Sequence, residues 1–446
     1  MPAVRRLLLV AAAALLWVAP AEAFTKQTGT RTMTDGVAIA YDLYEPDGAA
    51  PAGGWPGVVV MHGLGGSKDD MGAVADAFVS HGYAVLAYTD RGHGTSGGVV
   101  GLAGPDDVAT EQAMFSFFAG LPEVSDTQIG AWGISYGGGQ TWDGLAAGIP
   151  YKAAEVVETW TDLYSALFPQ NLAKSGIVLG FAKAVEARSP LIAAAENDAI
   201  HSTNMPALKT LADSRSAYPK LPSIKTPIYM FQGRVDYAFD VGQALNGYTR
   251  VTGPKHLYIG QFGHTPSTFP GPDVSYVLSQ GVAWYDHYLK NAPNGIDKAP
   301  PVTIAAATGS KRTSYAGLPK TKVIPAGFMG TATQRTGPKF GQALETFGVS
   351  LLKVQVRKVS NYPRLVATVL AGNRVITHGG IVPKVGLNTI RLADYVQYLP
   401  KGTRLTVTFG DSSTKDVAYL GFGSAGTISL GPAELSLQVL TKPISR

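Results

Sequence analysis

Residues 130–139 read Gly-Ala-Trp-Gly-Ile-Ser-Tyr-Gly-Gly-Gly, and inside them sits Gly133-Ile134-Ser135-Tyr136-Gly137. This Gly-x-Ser-x-Gly spacing is that of a nucleophile elbow, a sharp strand-to-helix turn that presents a serine at its tip. The constraint is steric. A serine in so tight a turn holds a strained backbone, and side chains two positions to either side would collide with the neighbouring strand and helix. With 53 glycines in 446 residues the pattern alone discriminates poorly, and its flanks supply the specificity. Residues 127–132 read as a short buried strand, and residues 138–142 can open a helix packed close to it. Ser135 is therefore expected to be a nucleophile, against the plainer reading of a Gly-rich turn.

The surrounding chain has the rhythm of an α/β domain. From residue 24 to about residue 300, short apolar runs alternate with helical-period segments, the signature of a parallel sheet with crossover helices. Strands are expected at 37–44 (antiparallel), 57–62, 83–89, 154–159, 227–232 and 256–261, with helices at 69–81, 108–121 and 274–290. Residues 161–222 carry helical patterning (163–168, 172–187 and 206–212) without a clear strand, and read as a helical cap inserted over the site. Residues 291–301, rich in Pro and polar residues, mark a boundary. Beyond it, residues 301–446 hold alternating runs at 351–359, 364–370, 389–393, 404–409 and 434–440, as in an all-β sandwich or jelly roll.

A serine hydroxyl needs a base to take its proton and a carboxylate to orient that base. On an α/β scaffold of this kind the chain order is Ser, then Asp or Glu, then His. Strand 227–232 runs into Gly233-Arg234-Val235-Asp236, and strand 256–261 runs into Phe262-Gly263-His264. Asp236 and His264 are the expected partners of Ser135, with Asp240 as the fallback acid. His201, His256, His287 and His378 fall in the wrong topological slots. The oxyanion that develops on an attacked carbonyl needs backbone N–H donors. These are expected from Tyr136, next to the nucleophile, and from Leu64 in the loop His62-Gly63-Leu64-Gly65-Gly66. The turn Asp90-Arg91-Gly92-His93-Gly94-Thr95-Ser96-Gly97 is read as a brace between loops; a ligand reading would put Arg91 or His93 at the site mouth.

Composition removes several function classes. There is no cysteine, which excludes a thiol nucleophile, thiolate metal sites and disulfides. No histidine pair has zinc-motif spacing, and neither Gly cluster completes a phosphate-binding motif, so no metal and no cofactor are expected. The formal net charge of +5 is not gathered into basic stretches, so nucleic acid is not an expected partner. Arg5-Arg6, the apolar run 7–18 and Ala21-Glu22-Ala23 read as a signal peptide over residues 1–23, cleaved after Ala23, for a secreted or periplasmic protein. That run is too short to span a bilayer, so no membrane anchor is expected.

Taken together, the chain resembles the X-prolyl dipeptidyl-peptidase and cocaine-esterase (CocE/NonD) family of serine hydrolases. The likeness rests on Asp90-x-Gly92-x-Gly94-x-Ser96-Gly97, Gly130-x-Trp132-Gly133-Ile134-Ser135-Tyr136-Gly137-Gly138 and Gly233-x-x-Asp236. It continues in residues 284–290, Asn294-Gly295-Ile296-Asp297 and Pro300-Pro301. The resemblance implies an α/β-hydrolase domain with a helical cap and a C-terminal jelly roll. It implies a Ser135–Asp236–His264 triad acting on acyl esters or amides of small molecules or short peptides. Members commonly place a tyrosine hydroxyl in the oxyanion hole from the loop after the first central strand, where this chain has His62-Gly63-Leu64. That departure favours esters over dipeptides, as does the lack of an obvious acidic cluster for a free amino terminus beyond cap residues such as Glu186, Glu196 and Asp198. Two alternatives stay open: an X-Pro dipeptidyl-peptidase or aminopeptidase, and a non-catalytic secreted binding protein on the same scaffold.

Overall fold

The computed structural model describes residues 24–307, 311–422 and 426–444. The expected signal peptide lies outside them. The first body is built on one sheet of ten strands: β1 (Phe24–Thr32), β2 (Ala38–Pro46), β3 (Trp55–Met61), β4 (Ala84–Tyr88), β5 (Val124–Ile134), β6 (Ala153–Val157), β7 (Ile228–Gly233), β8 (Lys255–Gly260), β9 (Val302–Ala305) and β10 (Arg312–Tyr315). Their spatial order is β1-β2-β4-β3-β5-β6-β7-β8-β9-β10. Pairings from β4 across to β9 are parallel, and β1, β2 and β10 add antiparallel edges.

The central strands are buried on both faces, which is why they read as continuous apolar runs rather than alternating ones. Two apolar clusters sandwich them. One includes Val59, Met61, Leu86, Ala131 and Met230; the other includes Val58, Val60, Trp132, Phe231 and Trp284. Helices α1 (Gly72–Val79), α2 (Pro105–Ala119) and α3 (Tyr136–Ala147) connect β3 to β6.

Between β6 and β7 the described chain holds α4 (Leu163–Leu167), α5 (Ser175–Val185), α6 (Pro190–His201) and α7 (Met205–Asp213), and no strand. Helix α6 is absent from the sequence reading: its apolar stripe is diluted by Ala and polar residues, and only Ala199 is buried. Helices α8 (Val241–Arg250) and α9 (Val274–Tyr288) complete the α/β part. The large sheet takes in β9 and β10, beyond the Pro-rich spacer offered as a boundary at residue 301.

Among the described residues, the rest of the chain forms a short two-stranded pair, Leu344–Glu345 with Tyr398–Leu399, and two four-stranded antiparallel sheets. One orders Thr321–Phe328, Thr427–Leu440, Leu351–Ser360 and Gly386–Arg391; the other Gln334–Lys339, Arg404–Gly410, Leu365–Ala371 and Arg374–Ile381. Side chains from both sheets, among them Phe328, Val354, Leu435, Val369 and Val407, share one core, so the region is a sandwich.

Candidate active site

Ser135 lies between β5 and α3 with φ 54° and ψ −112°, a left-handed conformation that a non-glycine residue holds only under constraint. The constraint is visible around it. Ser135 N–H donates to Val157 O at 2.8 Å, Gly137 N–H donates to His62 O at 3.0 Å, and Thr159 Oγ1 donates to Ser135 O at 2.7 Å. The flanking glycines are required by contact. A Cβ on Gly133 would stand 2.2 Å from Gly137 O, and one on Gly137 would stand 2.4 Å from Met61 O.

The three residues expected as nucleophile, base and acid come together. His264 Nε2 lies 2.9 Å from Ser135 Oγ, and His264 Nδ1 lies 2.7 Å from Asp236 Oδ2. The other carboxylate oxygen of Asp236 accepts from Ala238 N–H at 2.8 Å and Phe239 N–H at 2.9 Å. The loops carrying Asp236 and His264 are stitched together: Tyr237 N–H donates to Thr265 O at 2.9 Å and Ser267 Oγ to Val235 O at 2.8 Å. Asp236 is wholly buried, whereas the His264 side chain keeps 22% of its surface open. Burial disfavours charge on His264, but the charge and hydrogen bond of Asp236, with a further contribution from Glu158, lift its pKa to about 9.

The loop after β3 reaches Ser135. A Cβ on Gly63 would come 3.7 Å from Ser135 Cβ, which places Leu64 one residue from that contact. His62 anchors the loop. Its Nε2 accepts from Asp90 N–H at 3.0 Å, so the proton sits on Nδ1 and is donated to Gly63 O at 2.7 Å. Burial, with the neighbouring His93, pushes His62 down to about 4, which keeps this neutral tautomer at ordinary pH. Tyr136 opens α3, and the first N–H groups of a helix have no partner within it.

The turn after β4 braces loops. Arg91 donates to Thr110 Oγ1 at 2.5 Å and pairs with Asp35 at 2.6 Å, and His93 is buried with its ring against His62 and Tyr136. Asp240, the fallback acid, accepts from Asp394 N–H at 3.0 Å. His378 is buried in the β-sandwich between Asp416 and Tyr395, at 3.0 and 2.9 Å.

Sequence reasoning missed five residues around the site. Lys174 of the cap is buried and donates to Ala238 O at 3.1 Å. Arg188 donates to Gly92 O at 3.2 Å and Gly94 O at 2.8 Å. The Phe239 ring stands edge-on to His264 with centroids 5.3 Å apart, and Phe181 of the cap lies 6.0 Å from Phe239. The fifth is Glu158. Strand β6 was expected to run through residue 159 but stops at Val157, and Glu158 turns away with φ 49°. An oxygen of Glu158, one of Asp236 and a ring nitrogen of His264 lie within 4.8 Å of one another.

Residues 35–266 match the family model described as X-Pro dipeptidyl-peptidase (S15 family). The structure is similar to that of a CocE/NonD family hydrolase from Staphylococcus aureus, at TM-score 0.75 and 16% identity over 94% of each chain. It is also similar to an alpha-amino acid ester hydrolase, at TM-score 0.64 and 14% identity over 95% of each chain. At those identities the likeness is one of fold. In sequence, 133 residues are 33% identical to a non-heme chloroperoxidase of Streptomyces lividans, a match covering 29% of this chain and 43% of that protein. With the family model spanning more than half its length, the chain belongs to the X-Pro dipeptidyl-peptidase (S15) family.

Proposed function

We propose that this protein is an exported serine hydrolase that cleaves small acyl esters through an acyl-enzyme. The observation that carries the reading is the hydrogen-bonded line from Ser135 Oγ through His264 to Asp236. His264 Nε2 takes the proton from Ser135 Oγ as the oxygen attacks the ester carbonyl. The N–H groups of Tyr136 and Leu64 hold the oxyanion. The imidazolium then gives its proton to the leaving alkoxide, the acyl-enzyme forms, and His264 activates water to release the acid. Asp236 keeps the proton on Nδ1 and stabilises the imidazolium. The leader pattern of residues 1–23 supports export.

The cap supports an apolar acyl group. Leu102, Leu167, Val178, Phe181, Ala199 and Leu208 help to line a cavity of about 80 Å³ in which Glu196 is the one charged lining residue; the Phe181 ring lies against Phe239, whose ring in turn meets His264. The acidic cap residues that the sequence offers to a substrate's ammonium, Glu186, Glu196 and Asp198, are already engaged. Glu186 and Glu196 pair with Lys183 at 2.7 and 3.0 Å, and Asp198 accepts from Thr203 and Asn204. An X-Pro amide is the second reading, favoured by the family match.

Ser135→Ala is expected to lower turnover of p-nitrophenyl acyl esters by about 10⁴-fold or more. Substantial remaining activity in the purified variant would reject the triad. Labelling of wild type by a fluorophosphonate separates an enzyme from a silent scaffold, and a panel of acyl esters against X-Pro amides separates the two substrate classes.

A further inference from the structure

We infer that Glu158 is a second carboxylate on the base of the triad, positioning His264 and supplying negative charge to it alongside Asp236. The inference rests on the triad reading above. Three independent observations lead to it. First, Glu158 Oε1 is buried with no hydrogen-bond partner among the described residues. Leaving a buried carboxyl oxygen bare is costly, so a group that persists this way calls for a compensating interaction. Second, Glu158 holds φ 49° at the strand end, a conformation that a bulky residue keeps only under constraint. Third, Gly263, on the loop that carries His264, leaves room for this side chain: a Cβ there would stand 2.9 Å from Glu158 Oε1.

The side chain therefore occupies space made for it next to the imidazole, within 4.8 Å of a nitrogen of His264 and an oxygen of Asp236. The backbone around it is tied to the nucleophile. Val157 O accepts from Ser135 N–H, and Thr159 Oγ1 donates to Ser135 O. Glu158 N–H itself donates to Phe231 O at 2.8 Å, which fixes the turn against β7. One short segment thus joins the backbone of the nucleophile to the ring of the base.

Two charged groups act on Glu158, and they oppose each other. Burial and the Asp236 carboxylate push its pKa well up, whereas a charged His264 pulls it down. A negative charge on Glu158 and a proton on the imidazole favour each other. Where Glu158 is already ionised, His264 takes the one proton that moves, from Ser135 Oγ, and the standing charge of Glu158 stabilises the imidazolium formed during attack.

The test uses Glu158→Gln, which copies the shape of the protonated acid and removes the charge. For a folded Glu158→Gln, the acidic limb of kcat/KM is expected to move to lower pH, since His264 loses one of the two anions that raise it. Glu158→Asp is expected to keep the wild-type limb. A Glu158→Gln profile superimposable on wild type would mean a buried neutral acid with a packing role only, and would overturn the inference. Should Glu158→Gln fail to fold, Asp236→Ala decides alone. With Glu158 able to receive the freed imidazole, its loss is expected to be about 10²-fold. A loss of about 10⁴-fold, as for an unbacked triad acid, would overturn the inference. Activity surviving Ser135→Ala is a different outcome: it sinks the triad itself.

Discussion

Burial disfavours charge on the His264 ring, yet Asp236, 2.7 Å away, wins and holds its pKa near 9. The consequence for catalysis has a definite sign. The base must be neutral to accept a proton, so kcat/KM is expected to rise with pH, with a midpoint above the usual histidine value of about 6.5. Stability runs the other way. A histidine whose pKa is raised on folding stabilises the fold fully below its unfolded value of about 6.5, and that contribution fades as pH rises through about 9. Activity and the His264 share of stability should therefore cross. Parallel measurement of ester hydrolysis and of the chemical unfolding midpoint from pH 6 to pH 10 checks both limbs. A rate already at its plateau at pH 6 would contradict the raised pKa.

The elbow shows how an element can be dictated by contacts rather than by propensity. Placing Ala at Gly137 should help helix α3 by roughly 1 kcal/mol on propensity grounds. The Cβ, however, would lie 2.4 Å from Met61 O and 2.7 Å from Met61 Cβ, backbone and core of the central strand β3, which cannot step aside. Overpacking of that kind costs about 3 kcal/mol and outweighs the gain. Gly137→Ala is thus expected to destabilise by about 2 kcal/mol net and to displace Ser135. Gly180→Ala, exposed in α5 with open space where its Cβ would go, should stabilise by about 0.5–1 kcal/mol. Urea unfolding of the pair checks the contrast. These short-range rules explain what the chain reveals beforehand. Gly133, Ser135 and Gly137 announce a turn because the steric demand is local, and Asp236 and His264 announce themselves by following buried runs. Glu158 is silent in sequence. It continues the β-patterned Ala154-Glu155-Val156-Val157, and only the packing of β5 and β7 around it shows that the strand has ended. Helix α6 and the strands β1 and β10, mostly exposed or half-buried, carry too weak an apolar period to be read.

At the scale of the whole molecule, the β-sandwich grips the loop that carries Asp236. Val396 N–H donates to Arg234 O at 2.8 Å, Asp394 N–H donates to Asp240 Oδ2 at 3.0 Å, and Val241 N–H donates to Asp394 O at 3.1 Å. The Tyr237 ring lies against His378 and Tyr395. The central tie is a buried ion pair, Arg234 Nη2 to Glu345 Oε1 at 2.6 Å, with both side chains almost fully enclosed. Arg234 also donates to Ala305 O, and Glu345 Oε2 accepts from Ile444 N–H at 2.6 Å. None of this follows from sequence, since residues 111 positions apart give no local sign of pairing. Removing one member of such a pair strands the other charge in a low-dielectric interior, which costs about 3–5 kcal/mol, whereas an exposed pair is worth less than about 1 kcal/mol. Glu345→Ala is therefore expected to destabilise by about 3–5 kcal/mol. It should also lower kcat more than it raises KM, because Arg234 sits two residues before Asp236 and loosening it unsettles the acid. The double change Arg234→Met with Glu345→Met removes both charges. It should recover part of that loss while still leaving Ala305 O and Ile444 N–H without partners, at about 1–3 kcal/mol each. Chemical unfolding of the two single variants and the double variant gives the coupling between them, and ester kinetics on the same samples gives the effect on the acid loop. A Glu345→Ala cost below about 1 kcal/mol would show that the pair behaves as an exposed one and that the sandwich does not hold the acid loop through it.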